Sequence, residues 1–239
     1  MVIIIRKRHI ALAALCCVVL AGIGLWQGRA TSVFFPRGAV STTVIVDAGH
    51  GGEDGGAVAK DGTVESRLNL EIAQKLNDLL LLTGQPVHMT RLSDCSLHSE
   101  EAATLHQKKV SDLEKRVSIV NGTANAILIS IHQNSLPSSA KTHGAQVFWN
   151  TAEGSNQLAL DVQTCLNLAL NPGNEKVAKK IQSTIYLTKN VTAPAIIVEC
   201  GFLSNSEETL RLQTPSHQRM LAVCIAAGFL SNAAGEEVP

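Results

Sequence analysis

Aromatic side chains are scarce: 8 of 239 residues are Phe, Trp or Tyr, too few for the stacking platform on which single-stranded nucleic acid is held. Neither sign of charge is in excess. Twenty Lys and Arg balance 20 Asp and Glu, so there is no electrostatic footprint for nucleic acid, and no nucleic-acid partner is expected. The six cysteines show no C-x-x-C spacing. Two lie in an apolar N-terminal run, and Cys95, Cys165, Cys200 and Cys224 are scattered, so a disulfide framework is unsupported and buried free thiols are expected. Also missing are H-E-x-x-H, G-x-S-x-G, a Cys-His nucleophile pattern and the Lys-Ser/Thr that a phosphate-cradling loop requires after its glycines. No internal repeat or low-complexity tract is present.

What is present begins with one long apolar run. Arg6, Lys7 and Arg8 precede an uninterrupted stretch from Ile10 to Trp26, an export signal or a membrane anchor whose basic flank places the N-terminus in the cytoplasm and the rest outside. Its length lies between a secretory h-region of roughly 7 to 15 residues and a spanning helix of about 20. Gly28-Arg29-Ala30 is a poor cleavage site, which favours an uncleaved anchor over residues 1–26. Residues 27–41 read as a linker to a domain spanning 42–239. With 45% hydrophobic residues, that length suffices for one compact domain with a full core.

Strands and helices alternate from Thr42 onward. "TVIVDA" has the composition of a buried strand, and Glu65 to Leu82 sets Leu68, Ile72, Leu76, Leu79 and Leu80 on one helical face before Gly84 and Pro86 end it. "PVHMTR" is a short strand. A helix-prone stretch from Ser99 stops at Asn121-Gly122, and "AILISIH" and "GAQVFWN" are strand-like. A helix is expected over Leu158 to Leu170, strands in "STIYLTK" and "PAIIVEC", a capping box at Asn205 and Glu208, and a last helix from Thr214-Pro215 to about Phe229. The alternation predicts an α/β fold with a largely parallel twisted sheet and helices on both faces.

Three strand-like runs end in an ionisable residue: His50 after "VIVDAG", His132 after "AILISI" and Glu199 in "PAIIVEC". Ligand sites in open α/β sheets lie outside the carboxyl ends of the strands, so these three ends can meet. Glu65, at the start of the first helix, returns to the same edge. Two imidazoles and two carboxylates suit a catalytic zinc site with a spare carboxylate for proton transfer. Taken singly, His50 suits a turn, Glu65 complements a helix dipole and His132 suits a hydrogen-bonded strand end. Glu199, inside an apolar run, is the hardest to leave without a partner. His88, His98, His106, His143 and His217 are read as surface or packing residues.

In order and spacing, "VDAGHGGEDGGAV", "VESRLNLEIAQKL", "VHMTR", "ILISIHQNS", "GAQVF" and "PAIIVECGFLSN" resemble the zinc-dependent N-acetylmuramoyl-L-alanine amidases of the amidase-3 type, from about Thr42 to the C-terminus. Within that family they look most like the germination-specific, spore-cortex branch. The resemblance implies zinc bound by His50, Glu65 and His132, with Glu199 as catalytic acid and base. It implies supporting or substrate-side roles for Asn69, Arg91, Arg116 and Asn134, and peptidoglycan as substrate. Ala48 departs from the family's commoner Pro, and the connection from His132 to Glu199 is short for an autoinhibitory helix. No separate wall-binding module follows the domain, which leaves the membrane segment or a partner protein to bring enzyme to substrate. Two other readings remain open at this point: a zinc carboxypeptidase acting within stem peptides, and a peptidoglycan-binding pseudoenzyme.

Overall fold

A computed structural model describes residues 42–235; the expected anchor (1–26) and linker (27–41) lie outside the described residues. The elements in order are β1 (Thr43–Ala48), α1 (Glu65–Leu82), β2 (Val87–Met89), α2 (Leu105–Asn121), β3 (Ala126–Asn134), β4 (Gln146–Trp149), α3 (Ser155–Leu170), β5 (Lys179–Lys180), α4 (Tyr186–Asn190), β6 (Ala195–Phe202), α5 (Ser206–Leu212) and α6 (Pro215–Ala234). A single 3-10 turn, Pro137–Ser139, lies between β3 and β4.

The six strands form one sheet in the order β2-β1-β3-β6-β4-β5. β1 pairs in parallel with β2 and β3, β3 with β6, and β4 with β5, whereas β4 runs antiparallel to β6. The sheet is therefore mixed, with a reversed pair at one edge, and not parallel throughout. Period-two alternation divides the strands between two apolar layers. Val44, Val46, Ile129, Ile131, Ile196 and Val198 face the larger core, built with α1, α3 and α6. Ile45, Leu128 and Ala195 face a smaller core that includes Val120 of α2 and Leu187 of α4. Both faces are thus covered by helices, as the central strands' near-continuous apolar runs require.

Local chemistry explains most element boundaries. The predicted first helix is found with the expected ends. α2 begins at Leu105, six residues later than its composition suggests, because Thr104 and Gln107 form a reciprocal capping box there. "STIYLTK" is not a strand: the edge position is taken by Lys179–Lys180, and Tyr186–Asn190 turns helical so that Leu187 reaches the smaller core. The Asn205 box is half made. Asn205 caps the amides of Glu207 and Glu208, but the Glu208 carboxylate accepts from Gly144 and Phe202 instead. Cys95, Cys165, Cys200 and Cys224 are free thiols, the last two buried. Among the described residues, no helix is long and apolar enough to cross a membrane.

Candidate active site

β1, β3 and β6 lie side by side, so their carboxyl ends share one edge, and β1 and α1 deliver residues to it from a glycine-rich loop. His50 follows β1 in a left-handed backbone conformation, φ 61°, uncommon for a residue with a side chain. Its turn is held by buried donors. Arg116 donates to the carbonyls of Ala48 (2.9 Å) and His50 (2.7 Å), Arg91 to those of Ala48 (2.9 Å) and Gly49 (3.1 Å), and Asn69 to that of Gly49 (3.1 Å). Glycine is required beside it for close approach, since a Cβ on Gly49 would lie 2.2 Å from the His132 ring.

Glu65, the first residue of α1, is 4% exposed and has its carboxylate surrounded. The amide of Ala57 donates to Oε2 (2.8 Å), and Gln133 N (3.1 Å) and Asn69 Nδ2 (3.3 Å) donate to Oε1. The same Oε1 lies 3.0 Å from His132 Nδ1 and 3.3 Å from His50 Nε2. Burial alone would raise the Glu65 pKa, but the hydrogen bonds and charges of the His132 and His50 imidazoles drive it well below the usual carboxylate range. On the far side of the His50 ring, Nδ1 meets Asp54 Oδ2 at 3.0 Å. Burial disfavours the imidazolium, yet Asp54 and Glu65 together raise the His50 pKa to about 9. The two rings meet edge to face, centroids 5.1 Å apart.

His50, Glu65 and His132 each offer a donor atom, all within 4.8 Å of one another. Two imidazole nitrogens and one carboxylate oxygen suit a zinc-type cation, and the Asp54 contact supplies the carboxylate that orients a ligating imidazole from behind. The residues present fit a metal centre. Glu199 stands directly across the β3/β6 pairing from His132. Its Oε2 is buried without a hydrogen-bond partner, and burial, reinforced by the Glu65 charge, pushes its pKa up. Four carboxyl and imidazole groups from four separate segments thus converge.

The other expected positions divide. Asn69, Arg91 and Arg116 are 0%, 3% and 2% exposed, their polar groups turned to backbone and to one another's neighbours. Their bonds to the backbone of the His50 turn are those of the supporting role. Asn134 alone of the four is half-buried, at the end of β3 past a register shift, where its carbonyl accepts from Leu203 at 2.8 Å.

Residues 44–231 match the family model for N-acetylmuramoyl-L-alanine amidases of the amidase-3 type. The chain belongs to the amidase-3 family. It is 39% identical over 188 residues to the germination-specific N-acetylmuramoyl-L-alanine amidase of Bacillus subtilis, covering 78% of each chain. The solved CwlD amidase of Clostridioides difficile, in complex with the GerS lipoprotein, superimposes with a TM-score of 0.78 at 35% identity, covering 82% of this chain and all (100%) of that one. An N-acetylmuramoyl-L-alanine amidase of Clostridium difficile 630 gives a TM-score of 0.71 at 27% identity, over 81% of this chain and 97% of that one. Family membership makes the chain an amidase, a hydrolase of the cell wall.

Sequence reasoning missed three amidase residues. Asp54 carried a signal, a carboxylate four residues beyond His50, the form an orienting partner takes when a loop folds back. Gln133 carried none: strand alternation turns it away from His132, yet its amide binds Glu65 and its Nε2 binds Asn69 Oδ1 at 3.1 Å. Asp47 looked like a strand residue and is a buried ion-pair partner of Arg116.

Proposed function

We propose that this amidase is exported, uses zinc and hydrolyses the amide between the lactyl group of N-acetylmuramic acid and L-alanine of the peptidoglycan stem peptide. The observation that carries the mechanism is Glu199 Oε2, sealed from solvent and without a protein partner across the strand pairing from His132. A carboxylate so placed is costly unless a partner is supplied at the metal centre beside it, and Glu199, half-buried as a residue, can present its carboxylate to the reacting water there.

His50, Glu65 and His132 hold the zinc, which when bound polarises the scissile carbonyl and acidifies water. Glu199 takes the water's proton and returns it to the departing L-alanine nitrogen, so that the amine leaves neutral. Glu65 is unsuited to that task. Its oxygens are engaged by two backbone amides, the Asn69 amide and both imidazoles. The freed lactyl carboxyl is the group that muramic-lactam formation needs, and the 39% identity to a germination-specific enzyme supports action on spore cortex. A lipoprotein bound to a relative supports a partner protein here too. The basic, apolar N-terminus supports export with retention at the membrane.

Glu199→Gln keeps the side chain's shape and removes the proton acceptor. Hydrolysis should fall by ~10² to 10⁴ while zinc content and muropeptide binding persist. Activity near wild type would remove Glu199 from the mechanism, and loss of zinc would make it a ligand. A binding module needs no such base, which favours an enzyme over a pseudoenzyme.

A further inference from the structure

Beside the site lies a cleft of about 180 Å³ between the first turns of α2 and the loop after His50, lined by Glu53, Asp54, His98, Lys108, Lys109 and Asp112 among others. It adjoins the catalytic groups, because Asp54 in its wall is also the residue behind His50. Most charges in it are matched. Lys108 Nζ is chelated by both Glu53 oxygens at 2.7 Å. Asp112 accepts from Arg116 Nε at 2.6 Å, from Ser96 and from the Leu97 amide. Asp54 is held by His50 Nδ1 at 3.0 Å and by the Gly56 amide.

Lys109 is the most loosely paired of them. Its Nζ stands 3.4 Å from the already engaged Asp54 Oδ2, and its side chain keeps 57% of its exposure. One cation at the mouth of the cleft is therefore available to a ligand. The chemistry of the substrate decides what it meets: the muramoyl carboxyl is consumed in the scissile amide and N-acetylated sugars are neutral, so anionic groups lie on the peptide side.

We infer that this cleft is the subsite for a stem-peptide carboxylate and that Lys109 is its specificity-determining cation, an assignment that rests on the amidase reading. Lys109 then sets the direction in which the peptide leaves the bond, towards α2, with the glycan on the opposite side of His50. A carboxamide in place of that carboxylate would lose the charge-assisted bond and leave the rest of the contact unchanged.

The experiment compares two synthetic muropeptides that differ only at the residue after L-alanine, one with a free carboxylate and one with the carboxamide, on the full zinc-loaded chain. Lys109→Met should raise KM for the acid roughly five- to thirtyfold, the range for losing a charge-assisted bond at a partly exposed site. kcat should change far less than KM, and zinc content should persist, because His50 Nδ1 and the Gly56 amide still hold Asp54. The wild type should show the same rise on the carboxamide, the variant no further rise on it, and Lys109→Arg should restore selectivity, since the two losses are one interaction. Equal KM for the two substrates in the wild type, or an equal effect of the variant on both, would overturn the subsite alone. Cleavage of neither muropeptide at the muramoyl bond would overturn the amidase reading and the subsite with it.

Discussion

Asp47 sits beneath the His50 turn, 1% exposed, paired with Arg116 and accepting from Thr90 (2.7 Å) and Ser130 (2.6 Å). Burial by itself raises its pKa; Arg116 and the two hydroxyls outweigh that and bring it from 3.8 to about 2. A carboxylate depressed on folding stabilises the fold at pH values above its unfolded pKa, and the contribution disappears as pH falls through the folded value. The wild type should thus lose about 2 kcal/mol between pH ~4 and ~2 that Asp47→Asn does not lose, and the variant, leaving Arg116 buried without its carboxylate, should be about 3 kcal/mol less stable at neutral pH. Urea unfolding across pH measures both; parallel acid limbs would contradict the pairing. At this scale His50, His132 and Glu199 were legible as ionisable residues that end or follow apolar runs, and Glu65 as the first residue of the helix that returns to the same edge. The roles of Asn69, Arg91 and Arg116 were not. A sequence names a donor but not the carbonyl it meets, and here all three residues donate to backbone carbonyls among residues 48–50 and 66.

Elements were legible where an apolar period and a breaker agree, as in α1, and obscure where a cap or an edge decided. α2 shows the first case of obscurity. Its start is set by Thr104, whose hydroxyl accepts from Gln107 N at 3.2 Å while Gln107 Oε1 accepts from Thr104 N at 3.0 Å. The same helix carries Asp112 and Arg116, so its register positions the support beneath the His50 turn. Thr104→Ala should cost about 1 kcal/mol, within the range for lost N-caps, read as a lower urea midpoint at unchanged slope. No change would place the helix start elsewhere. The segment 183–189 shows the second case. Alternation in "STIYLTK" suits a strand, but β5 already forms the edge and leaves no partner ladder for it. Tertiary context overrides a local preference of that strength.

The whole molecule follows from its strand alternation: helices on both faces, one sheet, and a site where neighbouring parallel strands β1, β3 and β6 end together. The reversal of β4 was not legible, because strand direction leaves no mark in composition. It depends on the connection from β3 through residues 135–145, which returns the chain to the same edge without a crossover helix. The consequence for function is that Glu199 lies between His132 on one side and Gln146 of the antiparallel strand on the other, with a paired strand on each flank. The most direct test of a zinc amidase built this way is mass spectrometry of an intact muropeptide after incubation with the full zinc-loaded chain. The predicted products are a glycan bearing a free lactyl carboxyl and a peptide whose new N-terminus is L-alanine. A shortened stem still joined to muramic acid, or an unaltered muropeptide, would contradict the account.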